Sequence, residues 1–458
     1  MSRYEKPTIP EELTPEAIQA EVERILTSEK FARSKRLRTL LRFTVVQTLQ
    51  GNADMLKEYV IGTEVLKKPD SYDPRSDSLV RVLASRLRVK LKEYYSDGGS
   101  KDPLVIEFPK GKYVPRFQRR EQLQSEVEKK LRARNAYSQG RFLAARFNAS
   151  ALAEAATHFS EAVEADPDWP QPRVGLASVS AFQALLGFRR PREAWPSVKL
   201  QADSALRLDE LSSEAHICLG MAQAFHDWRW HDAESHFQKA IERDCYSGAG
   251  HLWRAIACLI PAGRFPEASF ELSQARDLAP APFLEEAQML GMYLCGQHQA
   301  VLRLTENLDA GYMPAWRRSM RGCALASMGR AREAVDLCAA HNDHPRTIAA
   351  LGYVAGVAGN HDKALEAFAF LTDCRAHGNW VSNYDLAVIQ NALGNRNDAL
   401  ALLQEALREK EPWMAFLAVD PRLAALREAP KFEALVRRIQ PVETEVRENS
   451  AFLRESAS

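Results

Sequence analysis

The sequence predicts a mainly α protein in two modules: a short set of helices closed by a β-hairpin, then a long array of helix pairs. Three observations predict it. Apolar residues recur at helical spacing along most of the chain. A motif of small and aromatic residues repeats through the second module. Charge is divided between the modules. Residues 30–120 hold 21 Lys or Arg against 10 Asp or Glu, a net of +11, within a 458-residue chain whose total is only +1. Such asymmetry points to a nucleic-acid or membrane-surface contact made by one part alone.

Composition narrows the class. With 46% hydrophobic and 26% charged residues, the chain is neither histone-like nor an acidic disordered polymer. No apolar run approaches the roughly 20 residues that cross a bilayer. Met1–Pro10 carries charges and no apolar h-region, so a cytoplasmic protein without membrane contact is expected. The seven cysteines are odd in number and form no CxxC pair, which fits reduced core thiols.

In the basic module (residues 14–118), Thr14-Pro15-Glu16 is a helix start, and an amphipathic helix runs to Leu26. A second helix spans Ser34–Leu49, with Leu37, Leu40, Leu41, Val45 and Leu49 on one stripe and Gly51 as its stop. A third spans Met55–Leu66, followed by the polar loop Lys67–Ser78. The fourth, Ser78–Tyr95, sets Val80, Leu83, Ala84, Leu87, Leu91 and Tyr94 on one face and basic residues on the other. Residues 104–108 and 113–117 flank Pro-Lys-Gly-Lys and read as a hairpin with a basic tip.

Helices followed by such a hairpin are in the order of a winged helix. Arg81-Val-Leu-Ala-Ser-Arg-Leu-Arg-Val-Lys-Leu91 resembles the recognition helix of OmpR/PhoB-type effector domains, through Val82, Arg86, Leu87, Arg88, Lys90 and Leu91. Lys110-Gly-Lys-Tyr113 resembles their wing with one glycine missing. The family's leading β-sheet is not evident, and the segment before the helices is too short for a receiver domain. The resemblance implies double-stranded DNA as partner. A helix in the major groove reads base edges with side chains pointing away from its core stripe, here Val82, Ser85, Arg86 and Val89. Arg81, Arg88 and Lys92 flank them and suit phosphates, and Lys110 and Lys112 suit the backbone or minor groove. The loop Lys67–Ser78 corresponds to a segment that touches RNA polymerase in some members. The plainer alternative is a solvated basic face that binds nothing.

Residues 119–131, RREQLQSEVEKKL, read as a charged helical linker. In the acidic module (132–440), A-x3-F-x2-A-x4-P appears as Ala155, Phe159, Ala162, Pro167. It recurs as Ala233, Phe237, Ala240, Cys245 and as Ala268, Leu272, Ala275, Pro280, with looser copies from Ala300, Ala334, Ala364 and Ala399. Leu-Gly or Leu-Ala pairs at 176, 219, 290, 351 and 386 precede them. The interval from Ala155 to Ala233 is read as one degenerate repeat with the insertion GFRRPREAWP. The pattern resembles the tetratricopeptide repeat (TPR), in about eight copies, with a capping helix pair over Asp420–Ile439 and a frayed tail beyond Gln440. That family forms an α-solenoid with a concave groove. Its groove positions carry over to Phe182, Met221, Phe225, Ile256, Met292, Tyr353 and Tyr384, each of which has inter-repeat packing as the alternative reading.

No P-loop, HExxH, GxSxG or kinase signature occurs, so no enzyme and no cofactor are expected. His341 and His344 offer a weak metal pair at most. The expected function is a DNA-binding transcription regulator, an order of modules that resembles CadC-type regulators without their membrane span. Its solenoid binds a protein or peptide partner or an effector, or makes a homo-oligomer. The alternative is a TPR interaction scaffold whose basic module docks an acidic protein surface.

Overall fold

The computed structural model describes residues 13–278, 282–306, 315–339 and 345–439. The chain divides into two compact units, residues 1–131 and 132–458. It is mainly α, and among the described residues the only sheet is one two-stranded hairpin. No helix of the described residues is long and apolar enough to cross a membrane.

The first unit holds α1 (Pro15–Thr27), α2 (Glu29–Ala32), α3 (Lys35–Leu49), α4 (Glu58–Glu64), α5 (Leu79–Tyr95), β1 (Leu104–Glu107) and β2 (Arg116–Arg119). Thr14 caps α1 through its hydroxyl, and Pro15 opens the helix where its missing N–H costs nothing. One core joins Ile18, Ile25, Phe31, Leu40, Leu41, Val80 and Leu87 to Ile106 and Phe117 of the hairpin. The strands pair antiparallel with Leu104 opposite Arg119. Gly111, at φ 78°, supplies the left-handed residue that the Pro109–Lys112 turn needs.

The resemblance to OmpR/PhoB and CadC-type regulators is not upheld. The leading sheet of that family is absent among the described residues, and the helices are followed by two strands only. Arg88, set against a phosphate by the resemblance, is instead spent inside the unit. Its guanidinium donates to the carbonyls of Phe108, Pro109 and Lys112 and clamps the hairpin loop onto α5. The Lys67–Ser78 loop, assigned to RNA polymerase by the resemblance, is closed on itself by Lys68–Asp77 at 2.8 Å.

Helix α6 (Arg120–Ala144) follows β2 and includes residues 120–131 of the charged segment. In the second unit, Tyr137 and Gly140 of α6 lie against Phe159 of α7 (Ala149–Ala165). Further pairs follow: α8 (Pro170–Leu185) with α9 (Pro191–Leu208), α10 (Ser213–Ala222) with α11 (Trp230–Arg243), and α12 (Gly248–Arg254) with α13 (Phe265–Leu278). Next come α14 (Pro282–Leu294) with α15 (His298–Leu304), α16 (Ala315–Ser327) with α17 (Ala331–Ala339), α18 (Pro345–Val357) with α19 (His361–Ala376), and α20 (Asn383–Ala392) with α21 (Arg396–Arg408). First helices of neighbouring pairs also touch, as in α8–α10, α10–α12, α16–α18 and α18–α20.

The repeat spacing has a steric cause. A large residue of a neighbouring helix fits where the first helix of a pair has no Cβ. A Cβ on Gly220 would lie 2.7 Å from the Phe237 ring, and one on Gly175 2.8 Å from Phe159. Leu272 meets Gly291 and Ile389 meets Gly352 in the same way, so most of the Leu-Gly pairs are contact points. The GFRRPREAWP stretch is not an insertion. Gly187 ends α8 at φ 77° and Pro191 opens α9, whose Ala194, Val198, Ala202 and Ala205 are wholly buried. Ala194 falls midway between Ala155 and Ala233, so a full pair with longer connections occupies that interval. Pro280, His341, His344 and the tail from Gln440 lie outside the described residues.

Two measurements follow from the packing. Gly220→Val drives a side chain into Phe237 and is expected to cost about 1–3 kcal/mol in chemical denaturation. Glu21 is fully buried, and burial together with the nearby Asp102 carboxylate pushes its pKa from 4.5 up to about 7, against Tyr95 and Arg24, which favour the charged form. Between those values the unfolded chain binds fewer protons than the folded one. Stability is therefore expected to fall as pH rises from 4.5 to about 7, by up to about 1.4 kcal/mol per pH unit, and to level off above. Glu21→Gln should flatten the profile of thermal unfolding against pH.

Candidate functional site

Two regions carry candidate residues. The first is the face of α5 with the hairpin tip. Val82, Ser85, Arg86 and Val89 are exposed there, as are Lys92, Lys110 and Lys112. Arg81 is exposed but engaged. It pairs with Glu58 at 3.1 Å and donates to the Pro74 carbonyl. Lys90 pairs with Glu93 at 3.0 Å. Arg88 is held by the hairpin carbonyls, as above. Arg86, Lys92, Lys110 and Lys112 make no side-chain hydrogen bond or ion pair among the described residues. The helix thus keeps a cationic face after its structural arginines are used. Val82 and Val89, 42% and 56% exposed, lie on that face.

The second region is the inner face of the helical array. The groove that the repeats form is filled by the chain itself. After α21, the backbone enters a 3-10 turn at Pro412–Phe416, a second at Pro421–Leu426 and then α22 (Pro430–Arg437). Trp413, Met414, Phe416, Leu417, Leu423 and Leu426 of this crossover segment are buried in the main core. The Glu411 carboxylate sits on the N-terminus of α20 and accepts from the Ser382 hydroxyl, the Asn383 amide and the backbone N–H groups of Asn383 and Tyr384. A carboxylate there satisfies orphan donors and complements the helix dipole. The Tyr384 hydroxyl donates to Asp420 at 2.9 Å, and Arg422 grips the same carboxylate at 2.7 Å. Trp230 Nε1 donates to the Ile439 carbonyl at 2.6 Å.

The early and late pairs also meet. Arg346 of α18 donates to the Leu186 carbonyl at 3.2 Å, Arg192 of α9 to the Arg408 carbonyl, and Arg190 lies over the Trp380 ring.

This arrangement sorts the seven groove residues. Met221, Tyr353 and Tyr384 are buried, and the crossover covers Tyr384 directly. Met292 is half-buried against the core. Phe182 is partly buried and Phe225 and Ile256 almost wholly so, yet all three border a pocket. They line an apolar pocket of ≈ 120 Å³ together with Phe147, Leu185, Leu186, Trp253, Ala287, Leu290, Trp316, Trp413 and Phe416. Glu286 is the one charged liner among the described residues. Its carboxylate is bound by Arg317 Nε at 2.7 Å. Behind the indoles, the Arg346 guanidinium lies 4.9 Å from the Trp413 ring and 5.9 Å from that of Trp316. Burial pushes the Arg346 pKa down, opposed by Asp385 at 4.0 Å.

Sequence periodicity marks only part of this pocket, at Phe182, Phe225 and Ile256. Trp413 and Phe416 stand outside every repeat. Phe225 and Ile256 lie on π-helical turns, Gln223–Asp227 and Ala255–Leu259, that extend α10 and α12. Phe147 holds a left-handed φ of 49° in the α6–α7 turn. For Trp413 and Phe416 the sequence signal is an aromatic residue out of register with the repeat.

Several titratable groups of this unit are buried. Burial pushes the thiols of Cys218 and Cys338 up to about 12 and that of Cys323 to about 11, far from nucleophilic at neutral pH. His216 and His236 share a 2.9 Å Nδ1–Nδ1 contact, and burial pushes His216 down to about 4. Among the described residues no group of three or more His, Cys, Asp or Glu is arranged to hold a metal ion.

The buried charges of the crossover give a direct test. Arg422→Met strands Asp420 without its cation and is expected to cost about 3–5 kcal/mol. The double variant Asp420→Asn, Arg422→Met should recover most of that loss in the same denaturant titration.

Comparison with known proteins adds little beyond these contacts. No family model matches the chain, and no curated protein matches it. Among solved structures it is similar to yeast Tom70, at 13% identity and a TM-score of 0.36, over 93% of this chain and 90% of that one. It is also similar to a monomeric mutant of IFIT1 with Gppp-AAAA, at 14% identity and a TM-score of 0.37, over 93% of this chain and 96% of that one. Likenesses this slight assign neither fold nor ligand. The mainly α fold of paired helices rests on the contacts described above.

Proposed function

We propose that the chain is a non-catalytic interaction scaffold whose basic first unit docks on an acidic surface of a protein partner. The observation that carries this reading is the α5 face. Arg86, Lys92, Lys110 and Lys112 have no partner of opposite charge among the described residues, and two exposed valines share the face with them. An apolar centre with a charged rim suits a protein interface, and the cations speed encounter with an acidic surface. The second unit supports a binding role through the apolar pocket on its inner face.

The test uses the full chain in cells, with a photo-cross-linking residue at position 89. Acidic proteins are the expected capture, reduced at least tenfold by Arg86→Glu with Lys92→Glu. The complementary measurement is recovery of sheared duplex DNA at about 0.15 M salt, where charge-only binding is already weakened. Selective recovery of a few fragments, lost in the same variant, would overturn the proposal in favour of a DNA-binding regulator.

A further inference from the structure

We infer that the inner-face pocket is a binding site for a free, neutral, single-ring aromatic molecule. The inference concerns the second unit alone and does not depend on what the basic face docks.

The pocket is built by departures from regular structure. Two successive first helices end in π-helical turns, and each delivers one liner, Phe225 and Ile256. A π turn is rare and recurs at functional sites. Phe147 adopts φ 49°, a region costly for a side chain of its size, and sets its ring edge-on to Phe182 at 5.0 Å. The repeats could stack without these features.

Size and charge select the ligand. A cavity of about 150 Å³ lined by apolar side chains stays dry and binds benzene, and this pocket has ≈ 120 Å³. Indole faces and a carboxylate ordinarily invite a cation. Here Arg346 already lies against Trp413 and Trp316, and Arg317 already holds Glu286. The groups that would bond a cation are thus already engaged, Glu286 by Arg317 and the indoles by Arg346, whereas a neutral ring needs only apolar contact. The walls also select against a polypeptide. The chain's own crossover supplies Trp413 and Phe416, and the apolar lining gives a peptide's amides nothing to bond.

The experiment titrates the full-length protein with toluene and, in parallel, with phenyltrimethylammonium, by calorimetry and thermal shift. Toluene is expected to bind saturably at one site, to raise the melting temperature, and to bind at least tenfold tighter than the cation. Ala287→Phe fills the pocket from its wall and should abolish the response. Nuclear Overhauser contacts between bound toluene and tryptophan indole protons in the unmodified protein provide a readout independent of whether that variant folds. Absence of saturable binding, preference for the cation, toluene binding undiminished in a folded Ala287→Phe, or bound toluene without indole contacts would each overturn the inference. Arg86→Glu with Lys92→Glu should leave toluene binding unchanged, so failure of the docking proposal is read separately.

Discussion

The second unit depends on one constraint: the inner surface of its stacked helices is too apolar to face water, and the chain supplies its own cover. The residues that the first helices turn inward include Tyr384, Phe225 and Met221. Burying side chains of this size contributes about 1.5–3 kcal/mol each. The crossover carries matching bulk in Trp413, Phe416 and Leu423. Its position is fixed by two buried carboxylates. Glu411 is bound to a helix N-terminus, and Asp420 to Arg422 and a tyrosine hydroxyl. Such groups are costly when unpaired, so they specify one seating of the segment among many apolar alternatives.

The first unit is governed by a comparable economy of charge. Of the arginines along α5, Arg88 is committed to carbonyls of the hairpin loop, Arg81 is shared between Glu58 and a backbone carbonyl, and Arg86 is left to solvent. A basic helix face is thus a mixture of structural and available cations, and the two kinds look alike in a sequence. Separating them needs the position of the hairpin, which brings the carbonyls of Phe108 and Pro109 within reach of one side chain and not of its neighbours.

Much of the fold was legible beforehand because it is local. The caps, the apolar stripes of α1, α3 and α5, the hairpin and the recurrence of alanine with a large residue four positions on are properties of short windows. The boundaries of α5 and the strand order follow from them. What was not legible is set by long-range contact. The crossover has no periodicity, and its burial is decided by helices up to about 240 residues earlier, as in the contact of Phe416 with α8 and Phe225. The groove residues carry the same lesson. Transfer of repeat positions names Phe182, Phe225 and Ile256, which line one pocket. It cannot know that the same chain returns to cover Tyr384. The recognition-helix pattern misled for a related reason, since Arg-Leu-Arg-x-Lys-Leu is what any amphipathic basic helix offers.

An open array of repeats has only neighbour contacts, and it frays from whichever end is weaker, one pair at a time. The contact of Trp230 with Ile439, and of Arg192 with Arg408, removes that freedom. The pairs from α9 to α21 become interior to a loop of contacts, so unzipping has no natural place to begin among them. A linear polymer of modules is thereby converted into a body that yields as a whole, with closure of the longest contacts forming the slow step of its assembly.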